Sequence, residues 1–111
     1  MGVKMKVLCV CQGGNTRSVA MAYVLKKYYR IDALACGYRD NSPETLTMLY
    51  QWADLIIAMA GRVWKRIPEE YKHKAKLCDV GSDRWGSIQR EKDLLSICLT
   101  FWEKEKGRYF A

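Results

Sequence analysis

The stretch that decides the fold is KVLCVCQGGNTRSVAMAYVL, residues 6–25. Its first five residues, KVLCV, form an unbroken apolar run of strand length, which predicts a strand buried on both faces. The run ends in CQGGNTRS, which holds two glycines, a cysteine and an arginine. From Ser18 to Arg30 the pattern becomes helical, with Met21, Val24, Leu25 and Tyr28 at i, i+3, i+4 and i+7 as the expected core face. A glycine-rich turn therefore joins a buried strand to a helix N-terminus.

The same reading extends along the chain. ALAC (33–36) is a second short strand, and Ser42 and Pro43 begin a helix as N-cap and first helical residue. DLIIAMA (54–60) is a third buried strand, and GRVWKRI gives one or two helical turns stopped by Pro68. AKLCDV (75–80) is a fourth strand. A long helix follows from Ile88 to Lys106, with Leu94, Ile97, Cys98, Phe101 and Trp102 as its apolar stripe. Buried strands alternating with helices predict one parallel sheet covered on both faces, joined by right-handed crossovers. At 111 residues a single domain, 1–111, is expected.

Composition narrows the function classes. No apolar run approaches the ~20 residues of a membrane span, and the N-terminal apolar stretch is too short for a secretory signal, so a cytoplasmic protein is expected. Five cysteines, an odd number at irregular spacing, argue against a disulfide framework. With no CxxC pair and His73 as the single histidine, a zinc site is not expected either. Cys9, Cys36, Cys78 and Cys98 are read as small buried hydrophobes. The net charge of +7 suits anionic partners, nucleic acid among them, but no zinc-finger or RNA-binding sheet motif accompanies it. The basic run Lys65, Arg66, Lys72, Lys74 and Lys76 is read as a solvated face.

In parallel α/β folds the binding crevice lies at the carboxyl ends of the strands, where CQGGNTRS sits. Main-chain N–H groups of such a turn favour an anion, and Gly13 and Gly14 allow the backbone to approach it closely. Cys11 stands in that positive field, which makes its sulfur the candidate nucleophile toward phosphorus. Arg17 can take two phosphoryl oxygens with its planar fork, and Ser18 can donate a hydrogen bond to the sulfur.

VLCVCQGGNTRSVAMAYVL resembles the signature of the low-molecular-weight protein tyrosine phosphatases, in which C-x5-R-S follows the first strand. WADLIIAM is similar to that family's third-strand segment, and DVGSDRWGS to its acid loop. The resemblance implies a three-layer α/β fold with a four-stranded parallel sheet in the order 2-1-3-4. It implies a phosphocysteine mechanism at Cys11, with Arg17 binding phosphate and Asp83 as general acid and then base. Asp79 is the alternative acid, less favoured because Asp83 and Trp85 match the acid loop and its aromatic. Gln12, Gly13, Gly14, Asn15, Thr16, Ser18 and Trp85 would line the substrate. The implied substrate is a phosphorylated protein, phosphotyrosine first, with inorganic phosphate or vanadate as inhibitors. No metal and no other cofactor is implied, since Arg17 and the loop amides meet the phosphoryl charge.

The chain departs from the family pattern at several positions. Gly14 stands where an asparagine is usual, Thr16 where many members carry a second cysteine, Val19 where a proline follows Arg-Ser, and Arg84 where the acid loop has proline. The chain is also shorter than typical members around the second-to-third and third-to-fourth strand connections. That leaves Tyr38, Arg39 and Trp85 as candidate walls of an open cleft. Phosphoarginine is a further substrate class on this reading. Three rivals are an arsenate reductase, a cysteine phosphocarrier and a non-catalytic phosphoprotein- or nucleic-acid-binding module. The first needs a relay cysteine pair, whereas Cys78 and Cys98 lie far apart in sequence. The second lacks the arginine and the acid.

Overall fold

The computed structural model describes residues 5–13, 16–80 and 88–108. Its sheet contains β1 (Lys6–Cys11), β2 (Asp32–Gly37), β3 (Leu55–Ala58) and β4 (Ala75–Leu77), all parallel, in the order β2-β1-β3-β4. This is the expected sheet and order. The helices are α1 (Arg17–Tyr29), α2 (Pro43–Trp52), α3 (Gly61–Arg66) and α4 (Ile88–Glu105), with one 3₁₀ segment before β4 (Glu69–Lys74).

The apolar runs of the two central strands follow from burial on both faces. In β1, Val7 and Cys9 point into a cluster with α1 and α4, while Leu8 and Val10 point into a second cluster with α2 and α3. Leu55 and Ile57 of β3 divide from Ile56 and Ala58 in the same way. Right-handed crossovers explain why α1 and α2 cover opposite faces: the chain leaves β1 toward β2 and then returns past β1 to β3. That reversal puts a crevice beside the end of β1.

Strand ends differ from the sequence reading. β3 and β4 stop at Ala58 and Leu77, short of the predicted 60 and 80. Beyond them the chain keeps only single bridging bonds. The Met59 N–H donates to Val10 O (3.0 Å), the Cys78 N–H to Ala58 O (2.8 Å) and the Val80 N–H to Met59 O (3.1 Å). The helix start at Ser42 is as expected: its Oγ accepts from the Thr45 N–H at 3.1 Å, with Pro43 in the first turn.

Two expected core faces need correction. Tyr28 is 55% exposed, and Tyr29 takes its role, resting edge-on against Trp102 with ring centroids 6.3 Å apart. The last turn of α1 is covered only on the side turned to α4, and the chain then turns sharply at Arg30, whose φ of 55° ends the helix. In α4, Leu94, Cys98 and Trp102 are fully buried and the half-buried Phe101 packs against the same core, as expected, but Ile97 is 38% exposed. The i, i+4 line Leu94, Cys98 and Trp102 is the centre of the contact, with Leu95, Leu99 and Phe101 packed against the core at its sides, while Ile97 and Phe101 border a groove beside the edge strand β4.

The buried thiols make alkaline stability a sharp expectation. Burial pushes Cys36, Cys78 and Cys98 up to about 12 and Cys9 well above its ordinary value; Tyr50 is likewise pushed up to about 12. In the unfolded chain thiols ionise near ~8.5, so between that pH and about 12 the unfolded state releases protons the folded state keeps. Stability therefore holds up to about pH 8.5 and falls above it, each thiol contributing up to about 1.4 kcal/mol per pH unit. Urea midpoints measured in reductant should be level from pH 7 to 8 and drop steeply from pH 9 to 11. A level midpoint through pH 11 contradicts this burial.

Candidate functional site

Cys11 is the last residue of β1, and α1 begins six residues later at Arg17. Cys11 is 2% exposed, and its Sγ lies 3.1 Å from Ser18 Oγ. Arg17 is 4% exposed and Ser18 fully buried; they are the two buried polar side chains among the described residues. Taking a guanidinium out of water costs several kcal/mol unless the surroundings compensate it. Arg17 and Ser18 both lie in the turn that also holds the thiol.

The first turn of α1 suits an anion. It contains no acidic residue, and the side chain of Thr16, the N-cap, makes no capping hydrogen bond. The N–H groups that open a helix of 13 residues carry a partial positive charge toward the turn.

Neighbouring strand ends build the surroundings. The Tyr38 N–H donates to Cys11 O (3.1 Å) and the Arg39 N–H to Gln12 O (3.0 Å), so the segment after β2 is bonded to the turn after β1. Asn41 Nδ2 steadies that segment by donating to Gly37 O at 2.7 Å. Gln12, Tyr38 and Arg39, with Arg62, Lys65 and Arg66 of α3, line an open cleft of about 470 Å³. Tyr38 and Arg39, two of the candidate wall residues, thus line a cleft together with Gln12 of the turn.

Gln12, Gly13, Thr16 and Ser18 lie on the turn or at the start of α1. Gly14 and Asn15, and Asp83 and Trp85 of the predicted acid loop, lie outside the described residues, as does Arg84. The point from which that loop departs is defined. Val80 is bonded to Met59, and Met59 to Val10, the residue before Cys11. Asp79 is exposed and lines a separate groove of about 350 Å³ against α4, which shares no residue with the cleft at Gln12.

Parallel sheet, strand order, and a cysteine turn leading from the first strand into a helix are now all in view. The chain has the low-molecular-weight protein tyrosine phosphatase fold. The tyrosine phosphatase Wzb of Escherichia coli K30, solved with sulphate, superposes with a TM-score of 0.73 at 13% identity, over 96% of this chain and 99% of that one. Wzb of Vibrio vulnificus in complex with benzylphosphonate gives 0.69 at 17%, over 92% and 99%. The YwlE arginine phosphatase of Geobacillus stearothermophilus gives 0.69 at 18%, over 96% and 98%. No protein-family model matches the chain, and no curated protein matches its sequence. At these identities the likeness is one of fold.

The remaining thiols are packing groups. All five cysteines are free, and Cys9, Cys78 and Cys98 share the core cluster between the sheet, α1 and α4. Cys78 and Cys98 are distant in sequence yet near enough for Cys78 to help raise the Cys98 thiol. Among the described residues no three His, Cys, Asp or Glu side chains gather as a metal site, and no helix is long and apolar enough to cross a membrane.

Sequence reasoning missed Arg62 and treated Lys65 and Arg66 as part of one solvated run. The fold divides that run. Lys72 pairs with Glu69 at 3.0 Å and Lys74 donates to Ala53 O at 2.6 Å, whereas Lys65 and Arg66 line the cleft. A signal was present: cations at i, i+3 and i+4 in the helix that leaves the carboxyl end of β3.

Proposed function

We propose that this protein is a cysteine-dependent phosphatase that acts on phosphotyrosine in proteins through a phosphocysteine at Cys11. The observation that carries the reading is the Cys11–Ser18 contact of 3.1 Å in a strand-to-helix turn whose first helical residue is a buried arginine. The fold shared with tyrosine and arginine phosphatases supports it.

The steps balance without an added reactant other than water. The Cys11 sulfur, as thiolate, attacks phosphorus in line with the ester oxygen. An S–P bond forms, the P–O bond breaks, and Asp83 protonates the departing phenoxide. Arg17 and the first N–H groups of α1 hold the equatorial oxygens while the phosphoryl group flattens. Asp83, now a carboxylate, then takes a proton from water as the water oxygen attacks phosphorus. The S–P bond breaks and phosphate leaves. Ser18 Oγ, within hydrogen-bond reach of the sulfur, donates to the thiolate that departs.

What favours Asp83 over Asp79 is its match, with Trp85, to the family's acid loop, and the groove against α4 that Asp79 lines, which shares no residue with the cleft at Gln12. Asp83→Asn should lower kcat/KM, which reports transfer to Cys11 and not hydrolysis of the intermediate, by about 10²–10⁴-fold on phenyl phosphate and much less on p-nitrophenyl phosphate, whose leaving group needs little protonation. Equal losses on both esters contradict the acid role. Vanadate and inorganic phosphate should compete with either ester. A phosphotyrosine peptide should be turned over with a higher kcat/KM than the same peptide carrying phosphoarginine; the reverse order would keep the phosphocysteine chemistry and move the substrate to an N-linked phosphoryl group.

A further inference from the structure

The cleft beside the turn is more basic than binding one phosphoryl group requires. Arg39, Arg62, Lys65 and Arg66 all line it, and all four are exposed. Among the described residues, none of them forms an ion pair with a carboxylate, although Lys72, Lys106 and Arg108 do. Val63 of α3 is buried in the core, while Arg62, Lys65 and Arg66 share the outward side by their i, i+3, i+4 spacing. Arg66 is oriented as well as placed: its guanidinium carbon stands 4.7 Å from the Tyr38 ring centroid. A fork held on a ring gives up less freedom when it binds a carboxylate or phosphate. Continuity with the turn is direct, because Gln12 follows Cys11 and forms part of the cleft wall.

We propose that this cleft is a second anion subsite that selects phosphoproteins whose target residue is flanked by acidic side chains or a second phosphate. The proposal rests on the phosphatase reading above and adds to it the kind of sequence that is recognised. Like charges clustered with no carboxylate paired to them among the described residues repel one another, and an acidic segment laid along the cleft relieves that repulsion. The attraction acts at exposed charges, so it weakens as salt shortens the screening length from ~10 Å at 0.1 M to ~3 Å at 1 M.

The test uses the whole protein and two phosphotyrosine peptides of equal length, one with glutamates flanking the target and one with glutamines. Phenyl phosphate serves as a substrate that does not reach the cleft. The acidic peptide should exceed the neutral one in kcat/KM by about tenfold or more at low salt, corresponding to roughly 1.4 kcal/mol. The double variant Arg62→Gln/Lys65→Gln should bring that ratio close to one and leave the rate on phenyl phosphate unchanged. A ratio near one in the wild type, or a preference that survives the double substitution, overturns the proposal. So does a single-stranded oligonucleotide of equal charge that binds more tightly than the acidic peptide, since the cleft would then be a nucleic-acid surface. Binding of both peptides to Cys11→Ser, measured by calorimetry, gives the same comparison without turnover. If phenyl phosphate is not hydrolysed, the phosphatase reading fails while the calorimetric ratio still decides the subsite.

Discussion

Cys11→Ser should lose turnover by about 10⁴-fold or more while the protein stays folded and still binds phosphate. The substitution exchanges one small buried atom for another, so the core around a residue 2% exposed is little disturbed. What changes is the nucleophile. A serine hydroxyl is almost wholly protonated at neutral pH and needs a base to attack phosphorus. Ser18 Oγ, 3.1 Å away, is another hydroxyl, which can donate to a sulfur anion but cannot serve as that base. Retention of Tm and of phosphate or vanadate affinity separates loss of chemistry from loss of fold. A serine variant with more than a small fraction of the wild-type rate contradicts the mechanism.

Trp102→Ala should cost about 3–5 kcal/mol of stability, lowering Tm by on the order of 15 °C or more. Trp102 is fully buried and is the largest of the fully buried side chains among the described residues. It belongs, with Leu94 and Cys98, to the fully buried line at the centre of the contact between α4 and the core. On the α1 side it meets Tyr29 edge-on. Truncation leaves a cavity that this line cannot close by sliding, because both neighbours along it are already buried. Ile97→Ala, five residues away on the partly exposed side, provides the contrast: at 38% exposure it should cost less than about 1.5 kcal/mol. Urea or thermal unfolding of the two variants measures the difference. Equal small losses would mean that α4 is not packed through Trp102.

The sequence made the central strands legible because burial on both faces erases alternation; VLCV and LIIA need no knowledge of their neighbours to be read. The site was legible for a related reason. Cys11, Arg17 and Ser18 fall within one strand-to-helix turn, so their proximity is set by local geometry. What was less legible depends on contacts between distant segments. Tyr28 and Tyr29 are equally good candidates by periodicity, and the choice is made by α4 packing over one of them. The excess length assigned to β3 and β4 comes from extended residues that keep single bonds to the next strand after the ladder has ended. The division of the basic run between structural roles and cleft lining depends on where α3 lies beside the turn.

The central claim is tested most directly by trapping the covalent state. Asp83→Asn should still form the phosphocysteine from p-nitrophenyl phosphate but hydrolyse it slowly, so the intermediate accumulates within the first turnover. Rapid quenching followed by peptide mass spectrometry should find one phosphoryl group on the peptide containing Cys11, linked through sulfur and absent in Cys11→Ser. An active protein whose Cys11 remains unmodified throughout turnover, or whose phosphoryl group resides on another side chain, contradicts the account.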